Sequence, residues 1–158
     1  MALPLAIEGL LRLIHIGAAI LWVGFVWFSA FVWGPTATAL PPEAQRQVGP
    51  RLVQRLIPWL AWSSTITILA GIGLYANIGY DTGFDAIPML LNLGVAAAFV
   101  MLVIAHALVL PTARKIARTL GGGPPVAPNR MARVQAWTRV NVVLSILVVF
   151  AMVMASRL

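Results

Sequence analysis

An all-α, polytopic membrane protein, built as a four-transmembrane-helix up-down bundle in one domain, is the fold class this sequence predicts, on three observations. Four apolar runs, 13–33, 59–78, 88–110 and 137–156, each match the ~20 residues that cross a ~30 Å hydrocarbon core as a helix. Hydrophobic residues make up 61% of the 158 and charged residues only 9%, with a mean hydropathy of +0.93, which is more apolar surface than a soluble domain of this size could bury. The basic residues gather in two of the connections between the runs, the mark of a chain oriented by its charges in a bilayer.

The first run lies in RLIHIGAAILWVGFVWFSAFVWGP, residues 12–35. Residues 1–11 have Glu8 but no basic start and no small-residue cleavage site, so this run is expected to remain as a helix of the mature protein. Positions seven apart return to nearly one helix face, so His15, Trp22 and Ser29 form a stripe with Arg12, Ala19 and Trp33 beside it. Lipid offers an imidazole or a hydroxyl no partner, so the stripe should face protein. Gly34 and Pro35 are expected to end this helix. Prolines 41, 42 and 50 then break up the chain, and residues 51–57 read as a short interfacial helix pairing Leu52, Val53, Leu56 and Ile57 against Arg51 and Arg55.

The second run is flanked by Trp59 and Trp62 at one end and Tyr75 and Tyr80 at the other, aromatics suited to the two headgroup levels, and Ser64, Thr67, Gly71 and Leu74 make its small, weakly polar face. Residues 79–87 form a short acidic turn with Asp81 and Asp85. In the third run Asn92, Phe99 and His106 repeat the seven-residue spacing, Gly94-x-x-x-Ala98 permits close helix approach, and Pro111 is expected to close the helix. The glycine- and proline-rich residues 121–128 should be mobile, and the last run carries Asn141, Ser145 and Met152 on one side.

Arg46, Arg51, Arg55, Arg114, Lys115, Arg118, Arg130, Arg133 and Arg139 lie on one side of the membrane, against Arg12 and Arg157 on the other. The expected location is a bacterial-type inner membrane with loops 35–57 and 111–136 cytoplasmic and both termini outside. The formal charge of +7 is thus a topological signal and not a nucleic-acid-binding surface; the expected partners are the bilayer and other membrane subunits or a second copy. The absence of cysteine excludes disulfides, thiolate metal sites and covalent haem attachment. No phosphate-binding glycine loop, nucleophile elbow or carboxylate pair is present, so no residue is named as catalytic and enzymatic activity is left open.

Chemistry therefore rests on the two histidines. At the level of His15, Met89, Met152 and Met154 offer thioethers that suit Cu(I) or a haem iron, and Arg12 lies one turn away to meet a propionate. His106 is expected near Arg114, Arg139 and Asn141, with Met101 deeper in the span. Counted from the ends of their runs, His15 and His106 should stand about 20 Å apart along the bundle, too far to ligate one haem. The plainer reading is that each histidine hydrogen-bonds across the bundle and that methionine fills gaps.

The pattern His15-x6-Trp22-x-Gly24 resembles the first helix of the copper-resistance D (CopD) family, of HemJ-type protoporphyrinogen oxidases and of the membrane anchors of cytochrome-fused urate oxidases. Residues 40–60, LPPEAQRQVGPRLVQRLIPWL, are similar to the loop and second helix of short CopD-like proteins, so the resemblance spans about the first half of the chain. It implies that the first-helix histidine is the functional one, a haem ligand in the HemJ type and a metal or haem site in the others, and His15 alone inherits that role. The intramembrane lysine of the HemJ type has no counterpart here, the single lysine being Lys115 in a loop. The expected function is b-type haem binding for electron transfer within a larger membrane complex, with His15, His106, Arg12 and Met152 at the cofactor. The alternatives are CopD-like copper handling through His15, Met89, Met152 and Met154, and a structural accessory subunit without a cofactor.

Overall fold

A computed structural model of the protein describes residues 3–122 and 129–155. Most of the expected mobile connection, 123–128, lies outside the described residues, as do the end of the last run and Arg157. Four helices form, α1 Leu5–Ala39, α2 Pro42–Thr82, α3 Met89–Leu120 and α4 Asn129–Ala155, each long and apolar enough to cross a membrane, and no strand occurs among the described residues. The four-helix membrane bundle expected from hydropathy is the architecture observed.

The helices overrun the apolar runs, and the reason is local. Pro35 and Pro111, read as helix stops, each directly follow or nearly follow a π-helical segment, Phe28–Trp33 and Ile104–Val109 respectively. A proline inside an α-helix clashes with the carbonyl four residues earlier; a wider π turn shifts that ladder, so the chain continues as Gly34–Ala39 and Leu110–Leu120. The interfacial helix expected over 51–57 is likewise no separate element but part of α2, which runs 41 residues, about 60 Å, with Pro50 and Pro58 inside it. α4 begins at Asn129, eight residues before the apolar run it contains. Real stops occur at the Leu40–Pro41 junction, where the backbone turns extended, and at Gly83, whose φ of 89° is open to glycine and strained for other residues.

α1 packs along α2, and α3 along α4, with the two pairs joined around Trp22, Val26, Ile68, Ala98, Met101 and Val142. On the α3–α4 seam a Cβ at Gly94 would lie 2.9 Å from the Ala151 methyl, so the expected close approach at Gly94-x-x-x-Ala98 is present. Side-chain hydrogen bonds then set the register between helices. The Trp27 Nε1–H donates to Ser145 Oγ (3.0 Å), Tyr75 O–H to Asn92 Oδ1 (2.6 Å) and the Leu3 N–H to Asn77 Oδ1 (2.6 Å).

Candidate functional site

The small face of α2 is where the intramembrane chemistry converges. Ser64, Thr67 and Gly71 recur at three- and four-residue spacing and so share one helix face, and the first two are fully or almost fully buried. His15 of α1 lies against its C-terminal part: Nδ1 is 2.8 Å from the Thr67 carbonyl oxygen, and a Cβ at Gly71 would come within 2.9 Å of Cε1. His106 of α3 reaches the same face, its Nε2 2.9 Å from Ser64 Oγ.

This overturns the expected 20 Å separation. His106 meets Ser64, and the His15 ring lies across Thr67 and Gly71, three to seven positions further along the same helix, about 4.5–10.5 Å of rise. The difference lies at the span ends. Ten helical residues precede His15 where the apolar run has two, and fourteen follow His106 where the run has four, so both imidazoles stand further from their helix ends than the apolar runs imply.

Hydrogen-bond chemistry assigns different tautomers to the two rings. A carbonyl only accepts, so His15 must donate from Nδ1, and in the neutral ring Nε2 keeps its lone pair. Ser64 Oγ donates back along its helix to the Leu60 carbonyl at 2.8 Å, which leaves it to accept from His106 Nε2–H. The Nε2 of His106 is therefore engaged, whereas that of His15 has no partner among the described residues.

The other residues singled out by sequence are distributed as follows. Arg12 pairs with Glu8 one turn away on the same helix and is 63% exposed. Met152 puts its methyl against Gly94 on the α3–α4 seam, while Met89 and Met154 are exposed. Met101 is in the core, Arg114 and Arg139 are exposed, and Asn141 is buried with Oδ1 unpartnered. Trp22, expected to pack, does so at 2% exposure, yet its Nε1–H also lacks an acceptor. A donor and an acceptor left without partners in the core are positions at which a bound polar group would be satisfied. Among the described residues no three of His, Cys, Asp and Glu come together to hold a metal ion.

Ser64 and Thr67 were legible as a weakly polar face but not as partners of the histidines. The signal was present in their spacing with Gly71, which reads as a track for a ring to lie on. No family model, curated protein or solved structure matches this chain.

Proposed function

We propose that the protein is a b-type haem-binding, electron-transferring component of a membrane complex, in which His15 would hold the haem iron. The observation that supports it is the anchored His15 ring: Nδ1–H bonded to a backbone carbonyl, a glycine beneath the ring, and Nε2 free. A ligating histidine characteristically donates its other ring N–H to a carbonyl or carboxylate, which fixes the tautomer and orients the lone pair. Haem iron can be held by a single protein side chain, so one anchored histidine is enough to bind it. Bound there, haem would supply one-electron redox chemistry.

In this reading the chain's own residues have separate tasks. Thr67 holds the His15 imidazole in its ligating tautomer, and Gly71 gives the ring room. His106 ties α3 to α2 through Ser64 and is a positioning residue. The buried Trp22 Nε1–H, seven residues and about 10.5 Å inward of His15 on the same stripe, is a donor available to a bound group. Arg12, one turn outward, is the cation at the mouth, shared with Glu8. The copper alternative has less support, because Met152 is seated against Gly94 on the α3–α4 seam and Met89 and Met154 are exposed.

A reduced-minus-oxidised optical spectrum of the purified protein tests the proposal. Soret and α bands are expected in the wild type, lost in His15→Ala and retained in His106→Ala. A wild type purified from haem-replete cells without these bands, or an unaltered spectrum in His15→Ala, overturns it.

A further inference from the structure

The overrun of α2 and α3 creates a second feature, beyond His106 toward the end of α3. The extension Leu110–Leu120 packs on the first half of α2, with Leu120 seated over Gly49, where a Cβ would lie 2.9 Å from the leucine methyl. Between them lies a groove of about 260 Å³. One wall is apolar, from Val53, Ile57 and Pro58, and the other carries Arg114 and Arg118, with Gln54 at the rim.

We propose that this groove binds the phosphate-bearing headgroup of an anionic phospholipid. Charge, depth and shape each point to that ligand. Arg114 and Arg118 are one helical turn apart and project from the same face, so both guanidiniums can reach one phosphate. Neither meets a carboxylate among the described residues. The nearest acid in sequence on this part of α2, Glu43, accepts a hydrogen bond from Gln47 and lies ten residues, about 15 Å of helix, before Val53. Depth is marked by Trp59 and Trp62, both exposed immediately beyond Pro58, since tryptophans facing lipid sit at headgroup level. The groove thus opens where phosphates are, with its apolar wall toward the acyl chains. Orientation by positive charge alone would require basic residues on this side of the membrane, but not two unpaired arginines converging on a groove with an apolar floor.

Native mass spectrometry of the detergent-solubilised full-length protein, titrated with phosphatidylglycerol or phosphatidylcholine, tests the proposal. Phosphatidylglycerol should bind preferentially, and Arg114→Gln/Arg118→Gln should weaken it by roughly 30-fold. Val53→Glu, which places a negative charge in the groove without altering either arginine, should weaken it as well. Arg130→Gln/Arg133→Gln, with the same loss of net charge, should leave it near the wild-type value. Equal losses in the two arginine pairs, or equal binding of phosphatidylcholine, would overturn the site. Displacement of the lipid by equimolar inorganic phosphate would overturn the lipid as its ligand.

Discussion

Two imidazoles hydrogen-bonded to one helix differ in what they leave free. His106 spends Nε2 on Ser64, and His15 spends Nδ1 on Thr67, so only His15 presents an unpartnered Nε2. The Ser64–His106 bond is an interhelical brace in an apolar medium, where such bonds contribute on average about 0.6 kcal/mol and at most about 1.7. A double-mutant cycle of Ser64→Ala and His106→Ala, followed by detergent-induced unfolding, should return a coupling in that range. A coupling indistinguishable from zero would mean that the bond adds nothing to the bundle. By contrast the Arg12–Glu8 pair is exposed at its arginine and screened, so its removal should scarcely change stability. Residue identities were enough to single out His15 and the polar face of α2. Their meeting was not legible, because a hydrogen bond between helices depends on their relative register, which neither helix encodes alone.

At the scale of elements, helix ends are decided by more than proline. Pro35 and Pro111 are absorbed after π segments and Pro50 is carried within α2, so three prolines that read as punctuation terminate nothing; Pro58 lies inside α2 as well. Glycines likewise separate by their neighbours. Gly94 faces Ala151 with no room for a methyl, whereas Gly17 of α1 has nothing within 4 Å of where its Cβ would lie. Gly94→Ala should therefore destabilise the bundle by about 1–3 kcal/mol through overpacking. Gly17→Ala should be neutral or stabilise by up to about 1 kcal/mol through helix propensity. Unfolding midpoints of the two variants check both; a destabilised Gly17→Ala would show that the open side of α1 is covered by another helix.

The whole molecule is a bundle whose outward faces are apolar over the membrane-spanning stretch of every helix, with α1 the least enclosed. Thr82 closes α2 at one end, and Gly122 follows the extension of α3 that packs on the opposite half of α2, so the two mark opposite sides of the membrane. The concentration of basic residues at the Gly122 end predicts that this end is cytoplasmic. The chain has no cysteine, so single cysteines can be introduced without background. Thr82→Cys should react with an impermeant thiol reagent in intact cells, and Gly122→Cys only after permeabilisation. The reverse pattern would invert the orientation.

The sequence by itself determined that the chain is helical, that it has four segments able to cross a membrane, and that His15 and the Ser64–Thr67–Gly71 face are where polar groups enter the apolar interior. These follow from composition and short-range periodicity, which act within one segment and need no knowledge of its neighbours. Only the tertiary structure decided how far each helix continues and which part of α2 each histidine meets. Continuation past Pro35 and Pro111 depends on π turns and, for α3, on the seat that Gly49 offers Leu120, while the level of each imidazole depends on which α2 residue it meets. A shift of one turn along a helix axis leaves hydropathy almost unchanged, yet it changes every side-chain partner. Packing and interhelical hydrogen bonds, not local pattern, therefore brought His15 and His106 to neighbouring positions on one face.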